Sequence, residues 1–318
     1  MFRYVLKRIA AMFVTLCIIL TIAFLVIRLM PGSIYDDINN LSPDMLAVLE
    51  GKYHLNEPLL TQYGYFLRDN ILYGAWGTSV SVAPKTPVWE VLTARIPITM
   101  SLNLISLAIS LPIGMMAGIF AAIFKNTKVD YVISFLVVLF ISVPSFIFAT
   151  VLQYFLAYRL GWFPIIYQPT ADTATKYASM VLPVLALSFG PIARVTRYLR
   201  GELIENLNSD YMLLARTKGL NSFQATVRHS MRNSFVPLAN IIIPMFTNIL
   251  TGSLVVEQIF SIAGVGGLLV KSINASDHTL TIAILIFYSF VSLLTILIVD
   301  LSYGIIDPRV RMGGGKHD

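Results

Sequence analysis

The sequence predicts an all-α membrane protein with six transmembrane helices, on three observations. Of 318 residues, 56% are hydrophobic and only 13% charged. The mean hydropathy is +0.74. Six apolar runs recur along the chain, most of them near the roughly 20 residues that a helix needs to cross about 30 Å of hydrocarbon.

The runs are Ile9–Leu29, Ile98–Phe124, Tyr131–Ala157, Ser179–Ala193, Val236–Val256 and Leu280–Val299, the fourth being the shortest. Arg3, Lys7 and Arg8 precede the first, as in a secretory signal. That run is long, however, and ends at Arg28-Leu-Met-Pro-Gly32 without a small-x-small cleavage site, so it reads as a retained anchor.

Orientation follows from the basic residues. With the N-terminus inside, fifteen of the 23 Lys and Arg fall on inner segments and seven on outer ones, with Arg28 at a boundary. The positive-inside bias therefore places both termini in the cytoplasm. Residues 1–29 are read as the cytoplasmic N-terminus and first span, 30–97 as an extracytoplasmic segment, 98–301 as a five-helix core and 302–318 as a cytoplasmic tail. The net charge of +6 is explained by this topology and by lipid headgroups, and nucleic acid is not expected as a partner.

The composition excludes several chemistries. The single Cys17 forms no intrachain disulfide, and His54, His229, His278 and His317 have no metal-ligand spacing. No metal site, bound cofactor or catalytic residue is expected. The tail sequence Gly313-Gly-Gly-Lys316 lacks the spacing of a phosphate-binding loop. No Asp, Glu, Lys or Arg stands in the middle of any apolar run, which disfavours an ion-coupled carrier.

Two polar regions interrupt the spans. The outer one, Met30–Pro97, carries helix-compatible stretches at Pro43–Lys52 and Leu59–Tyr73, and turn signals at Gly74–Ser79, Pro84 and Pro87. The inner one, Arg194–Ser234, reads as two short helices. Ser209 or Asp210 can cap the first, Met212, Leu213 and Leu214 give it an apolar patch, and Gly219 stands where a left-handed C-terminal stop is wanted. Asn221 and Gln224 form a variant capping box for the second, on which Phe223, Val227 and Met231 recur at a spacing of four. This apolar stripe must bury against the bilayer surface, the chain's own spans or a partner's groove.

Uncharged polar residues at span depth, among them Asn103, Gln153, Asn240 and Asn248, can line a path or bond between helices. Gly114 and Gly118 have the spacing for close helix contact within the chain, while Arg194, Arg197 and Arg200 mark the inner headgroup level. Pro112, Pro144, Pro183 and Pro244 can kink their helices.

Tyr211, Ala215, Lys218, Gly219, His229, Asn233 and Pro237 resemble the EAA loop of ABC-importer permeases, in the form found in the oligopeptide and dipeptide permease family. The resemblance covers nearly the whole chain. It includes Arg28–Gly32, Leu55–Pro58, Gly74–Ser79, Arg95–Thr99, Arg194–Arg197, Val256–Phe260, Gly264–Gly266 and Asp300–Arg309. Ala75 stands where the family usually carries an acidic residue, and Ala263 where it carries proline.

The resemblance implies a type I ABC importer permease fold in a bacterial cytoplasmic membrane, forming half of a path for peptides. It implies as partners a second permease subunit, two ATP-binding cassette ATPases that hold ATP and Mg, an extracytoplasmic peptide-binding protein and membrane lipid. It assigns ATPase coupling to Asp210, Tyr211, Ala215, Arg216, Lys218, Gly219, Leu220, Arg228, His229 and Asn233. A permease for another solute such as nickel, or an ion-coupled carrier, is the alternative.

Overall fold

The computed structural model describes residues 2–29, 51, 54, 56–74, 76–207, 209–221, 224, 230–246, 249 and 252–306. It is all-helical among these, with an isolated antiparallel bridge between Thr78 and Pro87. Among the described residues, four helices are long and apolar enough to cross a membrane: Val5–Val26, Val88–Ile123, Thr173–Leu207 and His278–Ser302. A bent pair, Lys128–Ser142 with Ser145–Arg159, makes a fifth if counted as one span. Five of the six expected runs thus have counterparts. The remaining run, Val236–Val256, includes residues 247, 248, 250 and 251, which lie outside the described residues.

The chain divides into two compact units, one of Ile98–Gly264 with Thr295–Asp318 and one of Phe2–Pro97 with Val265–Leu294. In the second unit, helix α1 (Phe2–Leu29) meets α2 (Leu59–Leu67) through aromatic contacts. Phe24 lies 5.3 Å from the Tyr63 ring and 5.2 Å from Phe66, and the Thr21 and Tyr63 hydroxyls are 2.6 Å apart. The expected helix Leu59–Tyr73 is present, its last turn wound as a π-helix over Arg68–Leu72. The expected helix Pro43–Lys52 lies almost wholly outside the described residues. Elsewhere in this unit, Val88, Val91 and Leu92 of α3 (Val88–Thr93) form a core with residues Val265, Leu268, Leu280 and Ile284.

Asp277 fastens that core. Ser79 Oγ and the backbone N–H groups of Val80, Ser81 and Val82 donate to its Oδ2, and the N–H of Leu280 donates to Oδ1 at 3.2 Å. Burial opposes ionisation of this carboxyl, but the Ser79 and backbone hydrogen bonds outweigh it and hold the group below the usual carboxylate range.

In the first unit, α4 (Ile96–Ile123, its first two residues in the other unit) and α7 (Thr173–Leu207) run parallel in close contact. The expected fourth span ends at Ala193, but the helix continues to Leu207 because Arg, Leu and Glu are good helix formers: a hydropathy run registers charge, not helix. A Cβ on Gly114 would lie 2.9 Å from Val195 Cβ and one on Gly118 3.1 Å from Leu199 Cβ. Ser106 and Ser188 hydroxyls meet at 3.0 Å, and Thr196 donates to the Gly114 carbonyl. The two glycines therefore serve packing within the chain, as expected.

Helix α5 (Lys128–Ser142) is tied to α7 by a bidentate pair, with Arg200 Nε and Nη2 at 2.6 and 2.8 Å from the two oxygens of buried Asp130. The Asn126 N–H and Ser134 hydroxyl also donate to that carboxylate. Tyr131–Ala157, expected as one run that Pro144 can kink, is broken into two helices there. Pro144 forces Val143 into an extended conformation (φ −96°, ψ 123°), and α6 (Ser145–Leu152) departs at 102° to α5.

Two outcomes follow from this packing. Gly114→Val should lower stability by about 1–3 kcal/mol through overpacking, whereas Gly64→Ala, with nothing within 4 Å of the added atom, should be neutral or slightly stabilising. Thermal unfolding of the detergent-purified variants checks both. Asp277→Ala should lower the melting temperature at pH 7. The wild-type carboxylate's contribution is present above its unfolded pKa of about 3.9 and is lost as pH falls through the lower folded value. The gap between wild type and variant should therefore narrow on acidification below about pH 4.

Candidate functional site

Two features of the first unit stand apart from its packed core: a short helix after α7 and a pair of clefts along α7. The short helix, α8 (Asp210–Thr217), opens at Ser209, whose carbonyl accepts from the N–H of Met212 and Leu213. The Ser209 hydroxyl donates instead to the Asn206 carbonyl. Gly219 ends α8 with φ +85°, a region where any Cβ is strained. The Leu220 N–H returns to the Ala215 carbonyl, and Leu220 packs with Met212, Ala215 and Leu207. This is the six-to-one bond and apolar contact of a Schellman stop.

The chain then turns at once into the capping box expected to open the second short helix. The Gln224 N–H donates to Asn221 Oδ1 at 2.8 Å, and the Asn221 N–H to Gln224 Oε1 at 3.4 Å. Met212 and Ala215 are buried, while Leu213 and Leu214 are 65% and 57% exposed. The expected three-residue patch is therefore split, because helical geometry turns Met212 toward Leu207 and its two neighbours outward. Asp210, Lys218 and Gly219 are exposed beside them, and Tyr211 and Arg216 lie on the same helix. Asn233 and Asn240 lie on α9 (Met231–Met245). Arg228, His229 and Asn248, with Phe223 and Val227 of the predicted stripe and Ala75, lie outside the described residues.

The clefts share one wall. The first, about 290 Å³, is bordered by Asn103, Ser106, Ser145, Gly190, Arg194 and Ser253, among others. The second, about 540 Å³, carries Arg194, Arg197, Gly201, Glu202 and Glu205. Leu187, Gly190, Pro191, Arg194, Arg197, Tyr198, Gly201 and Glu205 recur at helical spacing and so form one face of α7, away from buried Ala193, Val195, Leu199 and Leu203. Of the residues expected to line a path, Asn103 borders the first cleft. Gln153 does not: its amide donates to the Ile165 and Ile259 carbonyls, both at 2.9 Å.

Two residues of this region gave little signal in the sequence. Arg194 closes an apolar run and reads as a headgroup marker, yet the register of α4 against α7 places it level with Pro112–Gly114. That is about 15 Å from the Ile123 end of α4 at 1.5 Å per residue. Glu257, on α10 (Leu254–Ile259), is fully buried and accepts from Thr99 Oγ1 at 2.9 Å. Gly252 (φ +71°) and Gly264 press so closely on it that a Cβ at either would collide with its carboxyl group. The readable signal was a lone carboxylate in an apolar stretch bracketed by glycines.

Several membrane-length helices, with clefts of mixed polar and apolar lining along one continuous helix, define an integral membrane protein. The chain belongs to the family described as binding-protein-dependent transport system inner membrane component, which it matches over residues 114–312. Residues 1–103 match the N-terminal region of such membrane components. The dipeptide transport system permease protein DppB of Lactococcus lactis subsp. cremoris is 38% identical over 312 residues, covering 98% of this chain and 100% of the relative. DppB of Bacillus subtilis is 36% identical over 98% of this chain and 99% of its own length. The oligopeptide transport system permease protein OppB of Salmonella typhimurium is 34% identical over 98% of this chain and 100% of its own. A chain from the inward-facing methionine ABC transporter MetNI shares the fold, with a TM-score of 0.57, 16% identity, and coverage of 70% of this chain and 98% of that one.

Proposed function

We propose that this chain is the permease subunit of an ATP-driven importer of peptides and forms one half of the translocation path. The observation that carries the reading is the match along essentially the full length to dipeptide and oligopeptide permeases. The chain is a permease and not an enzyme; ATP hydrolysis, with its Mg, belongs to separate ATPase subunits. A second permease subunit and an extracytoplasmic peptide-binding protein complete the assembly, in a bacterial cytoplasmic membrane with both termini inside. Residues 30–97 form the outer segment that the loaded binding protein meets.

In this reading α8 is the coupling element. Exposed Leu213 and Leu214 are the apolar surface offered to an ATPase, with Asp210 and Lys218 at either end of the helix. Buried Met212 and Ala215 hold the helix to Leu207 and Leu220, so that motion of a bound ATPase reaches α7. Gly219 sets the angle between α8 and the segment that begins at Asn221, and Arg228 and His229 complete the set of coupling residues in this reading. Asn103 faces the solute, Asn240 and Asn248 are assigned to the path from the sequence alone, and Gln153 acts indirectly by holding the segment that follows α6.

Gly219→Asp should leave the chain inserted at normal level but separate ATP hydrolysis from peptide uptake, because it adds strain and charge at the turn. Parallel ATPase and uptake assays in proteoliposomes test this; normal coupling would remove Gly219 from the mechanism. Leu213→Asp combined with Leu214→Asp should abolish co-purification of the ATPase subunits while preserving α8, whose buried side is untouched. Retention of the ATPases by that double variant would place the docking surface elsewhere.

A further inference from the structure

Arg194 poses a question the coupling role does not answer. Among the described residues, no carboxylate lies within ion-pair distance of its guanidinium, although Arg200, six residues on, holds Asp130 in a bidentate pair. Among the described residues bordering the first cleft it is the sole ionisable one, beside neutral Asn103, Ser106, Ser145 and Ser253, and it also borders the second. It therefore stands where the two clefts meet. An unpaired cation far from the helix ends is costly in a membrane protein unless it faces water or an anionic ligand.

We propose that Arg194 binds the C-terminal carboxylate of a peptide in transit, an inference that rests on the peptide-permease reading above. A guanidinium grips a carboxylate through two parallel hydrogen bonds. Every peptide with a free C-terminus presents that group whatever its side chains, so one arginine serves cargo of varied sequence. Asn103 and the hydroxyls of Ser145 and Ser253 can bond the adjoining peptide group without selecting a side chain. A lipid phosphate is disfavoured as the anion, because Arg194 lies about 15 Å from the Ile123 end of α4, at hydrocarbon depth.

The test uses the complete transporter in proteoliposomes, with binding protein saturated by either Ala-Ala-Ala or its C-terminal amide. Wild type should carry the free acid faster than the amide. Arg194→Gln should slow the acid about tenfold, the scale of one charge-assisted hydrogen bond, and leave the amide within about twofold, so that the preference disappears. Arg194→Lys, which retains the charge, should keep the preference in reduced form, and it carries the test if Arg194→Gln does not assemble. Equal slowing of both peptides, no slowing of either, or loss of the preference in Arg194→Lys would overturn the proposal. Transport of neither peptide by the wild-type complex would instead defeat the peptide reading.

Discussion

The close parallel contact between α4 and α7 is the constraint on which the rest of the first unit depends. In a bilayer no hydrophobic force draws two apolar helices together, since lipid tails are as apolar as leucine. Association must come from atoms brought near enough for dispersion and hydrogen bonding. Gly114 and Gly118 permit that approach by removing the side chains that Val195 and Leu199 would meet. The hydroxyls of Ser106, Ser188 and Thr196 then find partners in the narrow gap. Each bond is modest in membranes, about 0.6 kcal/mol on average. Their value here lies in fixing register, and the register determines which face of α7 borders the clefts.

Because α7 is one uninterrupted helix of 35 residues, its two ends are mechanically joined. At 1.5 Å per residue it spans about 50 Å. One end is capped by Asp172, whose carboxylate accepts the Thr175 N–H, and the other meets α8 through Leu207 and Met212. Pro183 and Pro191 lie inside it without ending it, since the contacts of Ser188 and Thr196 with α4 hold the helix on both sides of Pro191. A helix that carries both the cleft face and the seat of α8 joins in one rigid body two tasks that the proposed function requires to move together. The Asp130–Arg200 pair stiffens the same body against α5.

Much of this was legible in the sequence where the signal was local. The left-handed stop at Gly219, the reciprocal bonds of Asn221 and Gln224, and the helix from Leu59 all depend on residues within a few positions of one another, and the chain chemistry specifies them directly. Hydropathy located five of the spans but misjudged their ends. It stopped at Ala193 because an arginine follows, although the backbone there has every reason to remain helical. It also passed over the bend at Val143, where the residues are as apolar as their neighbours and only Pro144 marks the break. Long-range facts were not legible. Nothing near Asp277 announces Ser79 as its partner 198 positions away, and nothing near Glu257 announces Thr99.

The charges on α7 show why position along a helix cannot by itself assign a role. Arg200 and Arg194 lie less than two turns apart, and in the sequence both mark the inner headgroup level. Asp130 meets Arg200 from the first turn of α5, where the helix dipole also favours a carboxylate, so that arginine is neutralised in place. Arg194 has no such neighbour among the described residues and borders a cleft of mixed polar and apolar lining instead. Insertion scales put an arginine at the centre of a membrane helix at about 2.5–3.5 kcal/mol unfavourable, and water in an open cleft removes much of that penalty. A cation kept hydrated in this way retains its capacity to bind an anion, whereas a paired one has spent it. The difference between these two arginines is the difference between a strut and a binding group, and it is set by what α5 places opposite each of them.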